Sequence, residues 1–378
     1  MHNKLTQFST TIECDHFPTC SGCEFQKDVD TPPIWEEARA FFEQCGQKVP
    51  LIVGDVVGWR MRAKLAVRGS ATNPLIGLFK RGSHEVIPLL DCPLHHPSIN
   101  QGLQLLRDEL IKAGVVPYDE VRGRGILRYI QMVVERKAKR VQLVLVVQAV
   151  DPSVQNLIQA LSASPFWHSI WLNFQKGSTN TIFGKEWLHC HGEVEFWENL
   201  LDRDICFHPA CFAQAHLNLF EEMLLSIREN ILPDRHCVEY YAGVGAIGLS
   251  VLEKTSSLTL NEIAPLSQEC FNKSLSRLSG KATFHLGPAE EHTSLLSEAQ
   301  VVILDPPRRG IAASLKEKIY QSPTIEQLIY VSCSWKSFHR DCLNFLEKGW
   351  TIEKAEAYLF FPGTDEVEIL CFFRKNSG

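Results

Sequence analysis

Residues 238–252 read VEYYAGVGAIGLSVL, and the fold turns on how they are interpreted. A short apolar strand runs to Tyr241, Gly243, Gly245 and Gly248 stand in G-x-G-x-x-G spacing, and a helix follows. Glycines in such a turn supply positive φ and let the backbone approach a ligand closely. Working outward, the chain after Phe207 reads as a helix, this strand–loop–helix, and further strand–helix alternation to the end. A parallel, doubly wound sheet satisfies that pattern, so residues 206–378 are expected to form a Rossmann-like α/β domain. Upstream, residues 60–190 are mostly strands such as LRYIQMVVE and RVQLVLVVQ, interrupted by the helical segments QGLQLLRDELIKAG and SVQNLIQALSAS. That is a smaller α+β domain. The expected organisation is a cysteine-cluster region at 1–95, a central α+β domain at 96–205, open to being continuous in space with the first, and the Rossmann-like domain. Residues 34–46 read as a helix with Ile34, Ala38, Phe41 and Phe42 on one side.

Hydrophobic content of 45% and charged content of 22% over 378 residues are those of a soluble globular protein. No apolar run of about 18 residues appears, so no membrane-spanning helix is expected. The first residues, MHNKLTQFSTTIECDHF, lack an apolar secretory core, so a cytoplasmic location is expected. In a reducing compartment, 13 cysteines read as metal ligands, a nucleophile and small buried residues, with no disulfide framework. The net charge of −6 argues against indiscriminate coating of nucleic acid. The charge is uneven, however: six bases and no acid lie between Arg60 and Arg81. A second basic cluster holds Arg122, Arg124, Arg128, Arg136, Lys137, Lys139 and Arg140. Solvated strand faces and an RNA-binding surface are both open readings of these clusters.

Five constellations carry chemistry. Glu262 lies 19 residues beyond Gly243 at the end of the next strand, where its two oxygens suit ribose hydroxyls. The glycine loop and this acid fit a nicotinamide dinucleotide about as well as S-adenosylmethionine; Glu239, just before the loop, favours the latter because its amino group is cationic. In AQVVILDPPRRG an apolar strand delivers Asp305 to the carboxyl edge of the sheet, and Arg308 and Arg309 follow as planar cationic donors. In YVSCSWKSFHRD, Cys333 ends another strand, with Lys336, His339 and Arg340 nearby. Positive charge lowers a thiol pKa, so Cys333 is a candidate nucleophile, with a buried structural cysteine as the alternative. Glu368 stands between Val367 and Ile369, as a solvated-face residue or as a desolvated carboxylate acting as general base. Lastly, Cys14, Cys20 and Cys23 in one loop, with a distant Cys92, suit a [4Fe–4S] cluster or a zinc ion.

Taken together, these residues resemble the RNA uracil-C5 methyltransferases, which use S-adenosylmethionine on 23S rRNA or tRNA. The resemblance runs from Cys14 to about Leu370 and is most like the short, 23S rRNA-modifying branch. It implies a class I methyltransferase fold and a [4Fe–4S] cluster on Cys14, Cys20, Cys23 and Cys92. It implies a cofactor site of Gln214, Tyr241, Gly243, Glu262 and Asp305, with Cys333 as nucleophile and Glu368 as base. RNA is the implied partner, 23S rRNA before tRNA, and a monomer with no membrane association is expected. The sequence departs from the family pattern at His216 (usually Asn), Glu239 (Asp), Pro288 (an acid), Ser334 (Asn) and Glu366 (His). Two rival readings are a catalytically silent RNA-binding protein of the same fold and a nicotinamide oxidoreductase.

Overall fold

A computed structural model describes residues 10–177 and 181–375. They form two compact units. One holds the described residues up to 30, with 55–196 and 362–364; the other holds 31–54, 197–361 and the described residues from 365 onward.

The second unit is built on an eight-stranded sheet. Its spatial order is Leu51–Val53, Trp350–Leu359, Glu368–Lys375, Gln327–Ser332, Val301–Leu304, His236–Tyr240, Ser257–Glu262 and Ala282–Leu286. The five strands between His236 and Ser332 run parallel to one another. The chain leaves His236–Tyr240 toward one edge, then returns to its other side at Val301–Leu304. That reversal opens a crevice at the carboxyl ends of the two strands, the usual ligand position in such sheets. Glu368–Lys375 is antiparallel to both of its neighbours, and Ser332 is in register with Ile369. An antiparallel strand begins where its parallel neighbours end, so Glu368 lies at the carboxyl edge of the sheet because of strand direction alone.

The strands that meet at this edge are buried on both faces, as their continuous apolar runs require: Val301–Leu304 and Gln327–Ser332 are buried throughout. The helix Trp335–Glu347 closes over them with Trp335, Phe338, Cys342 and Phe345, a 3–4–3 spacing that makes one apolar stripe. Each of these side chains is at most 5% exposed, and burial of each aromatic ring stabilises the unit by about 2–3 kcal/mol. The helix Pro33–Gln44 contributes Trp35, Ala38, Phe41 and Phe42 to the same core.

The first unit carries a seven-stranded sheet whose strands lie between Arg62 and Gly192. Its helices Pro97–Ala113 and Pro152–Ser162 share a core with the sheet, through Leu103, Leu106, Leu157 and Leu161 among others. Pro at the first turn and Asp151 accepting from the Val154 amide at 3.0 Å set the start of the second helix. Several residues of the basic clusters are consumed inside this unit. Arg128 is 2% exposed, and it donates to both carboxylate oxygens of Glu120 (3.0 and 2.9 Å) and to the carbonyls of Gln175 and Gly177. Arg68 also pairs with Glu120, and Arg62 donates to Gln131. Lys64, Arg81, Arg122, Arg124, Lys137 and Lys139 remain exposed. Among the described residues no helix is long and apolar enough to cross a membrane.

Candidate active site

A cleft of about 610 Å³ opens at the strand reversal of the second unit. Its walls gather Gln214, Tyr241, Gly243, Glu262, Asp305, Cys333 and Glu368, which are widely separated in sequence. Phe207, Phe212, Leu217, Phe220 and Phe361 give it an apolar side.

The glycine loop is shaped as its spacing demands. Tyr241, Gly243 and Gly245 have φ of 61°, 54° and 83°. A Cβ at Gly245 would sit 2.8 Å from Leu260, and one at Gly248 would sit 2.3 Å from the Glu239 carboxylate. At Gly243 a Cβ would meet nothing within 4 Å, so this backbone faces open space. Glu262 fastens the loop: its Oε2 accepts from the Gly243 amide at 3.0 Å, while Oε1 accepts from Ile263 and Ala264. Tyr241, a non-glycine residue held at positive φ, accepts at its hydroxyl from the Ala312 amide at 3.1 Å. Strain of this kind costs about 1–3 kcal/mol and persists where surrounding structure enforces it.

Glu239 is not at the cleft. It is fully buried beneath the loop, where Oε2 accepts from the Gly248 amide at 2.9 Å and Oε1 has no partner among the described residues. Burial pushes its carboxyl well above the usual carboxylate range. The expectation that this acid meets a cationic amino group is therefore corrected: Glu239 braces the glycine loop from behind.

The candidate nucleophile and base lie on the other side of the crevice. Glu368 is 4% exposed, and burial, then the neighbouring Asp305 and Glu366, push its carboxyl up to about 8. Asp305 is pushed up to about 7 by burial and by Glu262. Burial, Glu368 and Asp305 push the half-buried Cys333 thiol up to about 11, with Arg308 opposing. The expected lowering by Lys336, His339 and Arg340 does not occur. His339 stacks on Trp335 and meets Phe41 edge-on, Arg340 pairs with Asp341, and Lys336 is exposed. A helix begins two residues after Cys333, and its winding carries those side chains elsewhere.

Several further residues shape the site, and Asp341, Glu290 and Asn261 among them carry no sequence signal. Asp341 is fully buried and accepts from the Ile311 amide, Tyr330 hydroxyl, Lys316 and Arg340, tying helix Trp335–Glu347 to the segment after Asp305. Glu290 and Asn261 line the cleft, and Glu290 stands two residues from Pro288, where an acid was expected. His216 replaces the usual asparagine and caps helix Leu217–Asn230, accepting at Nδ1 from the Leu219 amide. Glu366 pairs with Arg308 at the cleft wall.

The four N-terminal cysteines lie together in the first unit, all as free thiols. Burial, then Cys92, Cys14 and Cys20, push Cys23 up to about 12. Backbone amides point at two of the sulfurs: Gly22 at Cys20, 3.3 Å away, and Leu94 and His95 at Cys92. Arg60 faces Cys92 and Cys23. Among the described residues no three His, Cys, Asp or Glu side chains converge closely enough to hold a single metal ion.

Comparison with known proteins accords with this geometry. No family model matches the chain. An RNA methyltransferase of Protochlamydia amoebophila is 42% identical over 377 residues, covering 96% of this chain and 98% of its own. The 23S rRNA (uracil(747)-C(5))-methyltransferase of Citrobacter koseri is 28% identical over 338 residues, covering 86% of this chain and 87% of its own. Among solved structures, the Pyrococcus abyssi tRNA (uracil-54, C5)-methyltransferase in complex with S-adenosyl-L-homocysteine superimposes with a TM-score of 0.79 at 19% identity, covering 94% of this chain and 86% of that one. At that identity the likeness establishes the fold: a Rossmann-like class I methyltransferase domain with a smaller α+β unit.

Proposed function

Since the chain belongs to the RNA methyltransferases, we propose that it methylates C5 of a uridine in RNA, with 23S rRNA favoured over tRNA, using S-adenosylmethionine and a covalent cysteine adduct. The observation that carries this is the meeting of Cys333, Asp305 and Glu368 in one cleft, where Glu368 and Asp305 act on the ionisation of Cys333 and Asp305 on that of Glu368. Uracil C5 is too weak a nucleophile to take a methyl group unaided. Addition of the Cys333 Sγ at C6 places an electron pair on C5, which attacks the methyl of the sulfonium. Glu368 then takes the C5 proton, the C5–C6 double bond re-forms, and Cys333 leaves as the thiolate. The uridine has to leave its stack to present the C5–C6 edge. The name of the Citrobacter relative supports the base and the ribosomal substrate.

The methyl donor fits the cleft by charge. Glu262, Glu290 and Glu366 line it against Arg308 and Arg309, with Asp305 and Glu368 able to ionise beside a bound cation, a set that suits a cationic sulfonium better than the pyrophosphate of a nicotinamide dinucleotide. Glu262 would take ribose hydroxyls, while Gln214 and Tyr241 flank the amino-acid portion. A cation in this acidic cleft also favours the ionised forms of Cys333 and Glu368, both protonated at neutral pH in the free protein.

Cys14, Cys20, Cys23 and Cys92 would hold a [4Fe–4S] cluster. What supports a thiolate-bound group there, with zinc as the alternative, is that the thiols face one another, receive backbone amides and have Arg60 as counter-charge. Methyl transfer requires no electron, so the cluster would organise the first unit.

The test is methyl transfer to rRNA and tRNA, with mapping of the modified uridine. Cys333→Ser should lose both product and the covalent adduct to RNA carrying 5-fluorouridine, while S-adenosylmethionine binding survives. Glu368→Gln should slow turnover by about 10²–10⁴ and accumulate a denaturation-resistant protein–RNA adduct. RNA binding with no methyl transfer would leave the silent RNA-binding reading standing. Binding of NAD in place of S-adenosylmethionine would sink the cofactor assignment.

A further inference from the structure

We infer that Glu366 is a positioning residue: by pairing with Arg308 it holds that guanidinium where it stabilises the thiolate of Cys333. This rests on the reading of Cys333 as the nucleophile, and it concerns a position where the chain departs from the family pattern. Glu366 and Glu368 flank Val367, so their side chains leave the chain near the start of the last strand. The Arg308 Nη2 donates to the Glu366 Oε1, while the Arg308 side chain is 69% exposed and Glu366 only 33%. An exposed arginine on a loop has several rotamers available, and a fixed carboxylate selects among them. Both residues line the cleft.

The charged groups that face Cys333 are few. Glu368 and Asp305 disfavour its thiolate, and Arg308 favours it. Arg308 likewise opposes Asp305 and Glu366 at Glu368. The positive end of the balance at both reacting groups therefore depends on where this one guanidinium sits. Lys336, His339 and Arg340 are committed elsewhere or exposed, so they do not substitute for it.

Two effects of Glu366 have opposite signs, which makes the inference decidable. As a bare negative charge, Glu366 would disfavour the thiolate, and its removal would ease ionisation of Cys333. As the holder of Arg308 it favours the thiolate, and its removal would hinder ionisation. The experiment is the pH dependence of Cys333 alkylation by iodoacetamide in the intact protein, followed on the Cys333 peptide by mass spectrometry. It needs neither RNA nor methyl donor, so its outcome is separate from that of the methylation assay. Glu366→Gln and Arg308→Gln should each move the alkylation midpoint upward by about one pH unit, the low end for loss of a nearby opposite charge. The double variant should move it no further, because both changes remove the same contribution. Glu366→Asp should restore it in part, with methylation recovering in parallel. A downward shift or no shift in Glu366→Gln, or additive shifts in the double variant, would overturn the inference.

Discussion

Glu368 shows what a single buried acid does to the whole protein. Its carboxyl titrates near 8 in the fold and near 4.5 when unfolded. The folded state therefore binds this proton more tightly, so the contribution to stability is full below about pH 4.5 and is lost as pH rises through about 8. The difference of about 3.5 pH units corresponds to a loss on the order of 5 kcal/mol once the group is ionised. Glu368→Gln removes the ionisable group and keeps its size, so it should raise Tm relative to the parent at pH 8–9 and little at pH 5. Thermal melts across that range check this, and a gap that widens toward acid pH would contradict the burial argument. The same titration governs chemistry with the opposite demand: a base acts in its ionised form, so methylation should rise with pH through about 8 and continue to rise as the Cys333 thiol, pushed up to about 11, ionises. Cys333 and Glu368 were visible in the sequence because each ends or begins an apolar strand, where a polar side chain needs a reason. The direction of the Cys333 shift was not, because it depends on burial in the folded cleft and then on Glu368 and Asp305, 35 and 28 residues away in the chain.

At the scale of elements, the glycine loop and the strand ends were legible, while the ties between them were not. G-x-G-x-x-G dictates a backbone path, and the structure follows it through positive φ at Gly243 and Gly245. Asp341 gave no signal because its role is set by partners on other elements, Lys316 and Ile311, whereas His216 stood out only as a departure from the family pattern and its capping of Leu219 is local. The loop offers a paired prediction. Gly245→Ala brings a Cβ to 2.8 Å from Leu260 and 3.1 Å from Phe271 at φ of 83°. It should destabilise the protein by about 2–4 kcal/mol. Gly243→Ala adds a Cβ with nothing within 4 Å, so only backbone strain of about 1–2 kcal/mol remains. That methyl group would lie beside the open cleft, so S-adenosylhomocysteine binding should weaken more than folding. Calorimetric Tm and ligand titration of the two variants separate the effects, and equal Tm losses would refute the packing argument.

Across the whole molecule, charge reads poorly from composition alone. The basic clusters looked alike as strings, yet Arg128 and Arg68 serve Glu120 inside the first unit, and Lys64, Arg122, Arg124, Lys137 and Lys139 stay on its surface. Arg128 lies in the strand Leu127–Val134, whereas Arg122, Arg124, Lys137 and Lys139 lie in the turns on either side of it, and Arg68 shares one face of the strand Arg62–Ser70 with the exposed Lys64. Exposed lysines and arginines that contact phosphates release counterions, so reversing Lys137 and Lys139 to Glu should weaken RNA binding uniformly across sequences and flatten its salt dependence. Affinity unchanged between about 50 and 200 mM salt would remove this face from the RNA surface.

The division into two units also separates the proposed cluster from the methyl donor. Cys14, Cys20, Cys23 and Cys92 all lie in the first unit, and the glycine loop, Glu262, Asp305, Cys333 and Glu368 all lie in the second. Each unit has its own apolar core, centred on Leu103, Leu143 and Ile170 in one and on Val302, Tyr330 and Phe338 in the other. Cys23 is the thiol whose ionisation is opposed by all three of its partners, so a metal that fixes it as thiolate should release a proton and contribute strongly to local order. Anaerobically purified protein should contain iron and acid-labile sulfide, with a broad absorbance near ~400 nm that bleaches in air. Cys23→Ser should lose both and become sensitive to proteolysis between residues 10 and 30, yet still bind S-adenosylhomocysteine, because its core and cleft belong to the other unit. RNA methylation should fall in that variant while cofactor affinity holds. Colourless parent protein with stoichiometric zinc would replace the cluster with a single ion, and loss of S-adenosylhomocysteine binding in Cys23→Ser would mean that the two cores do not stand independently.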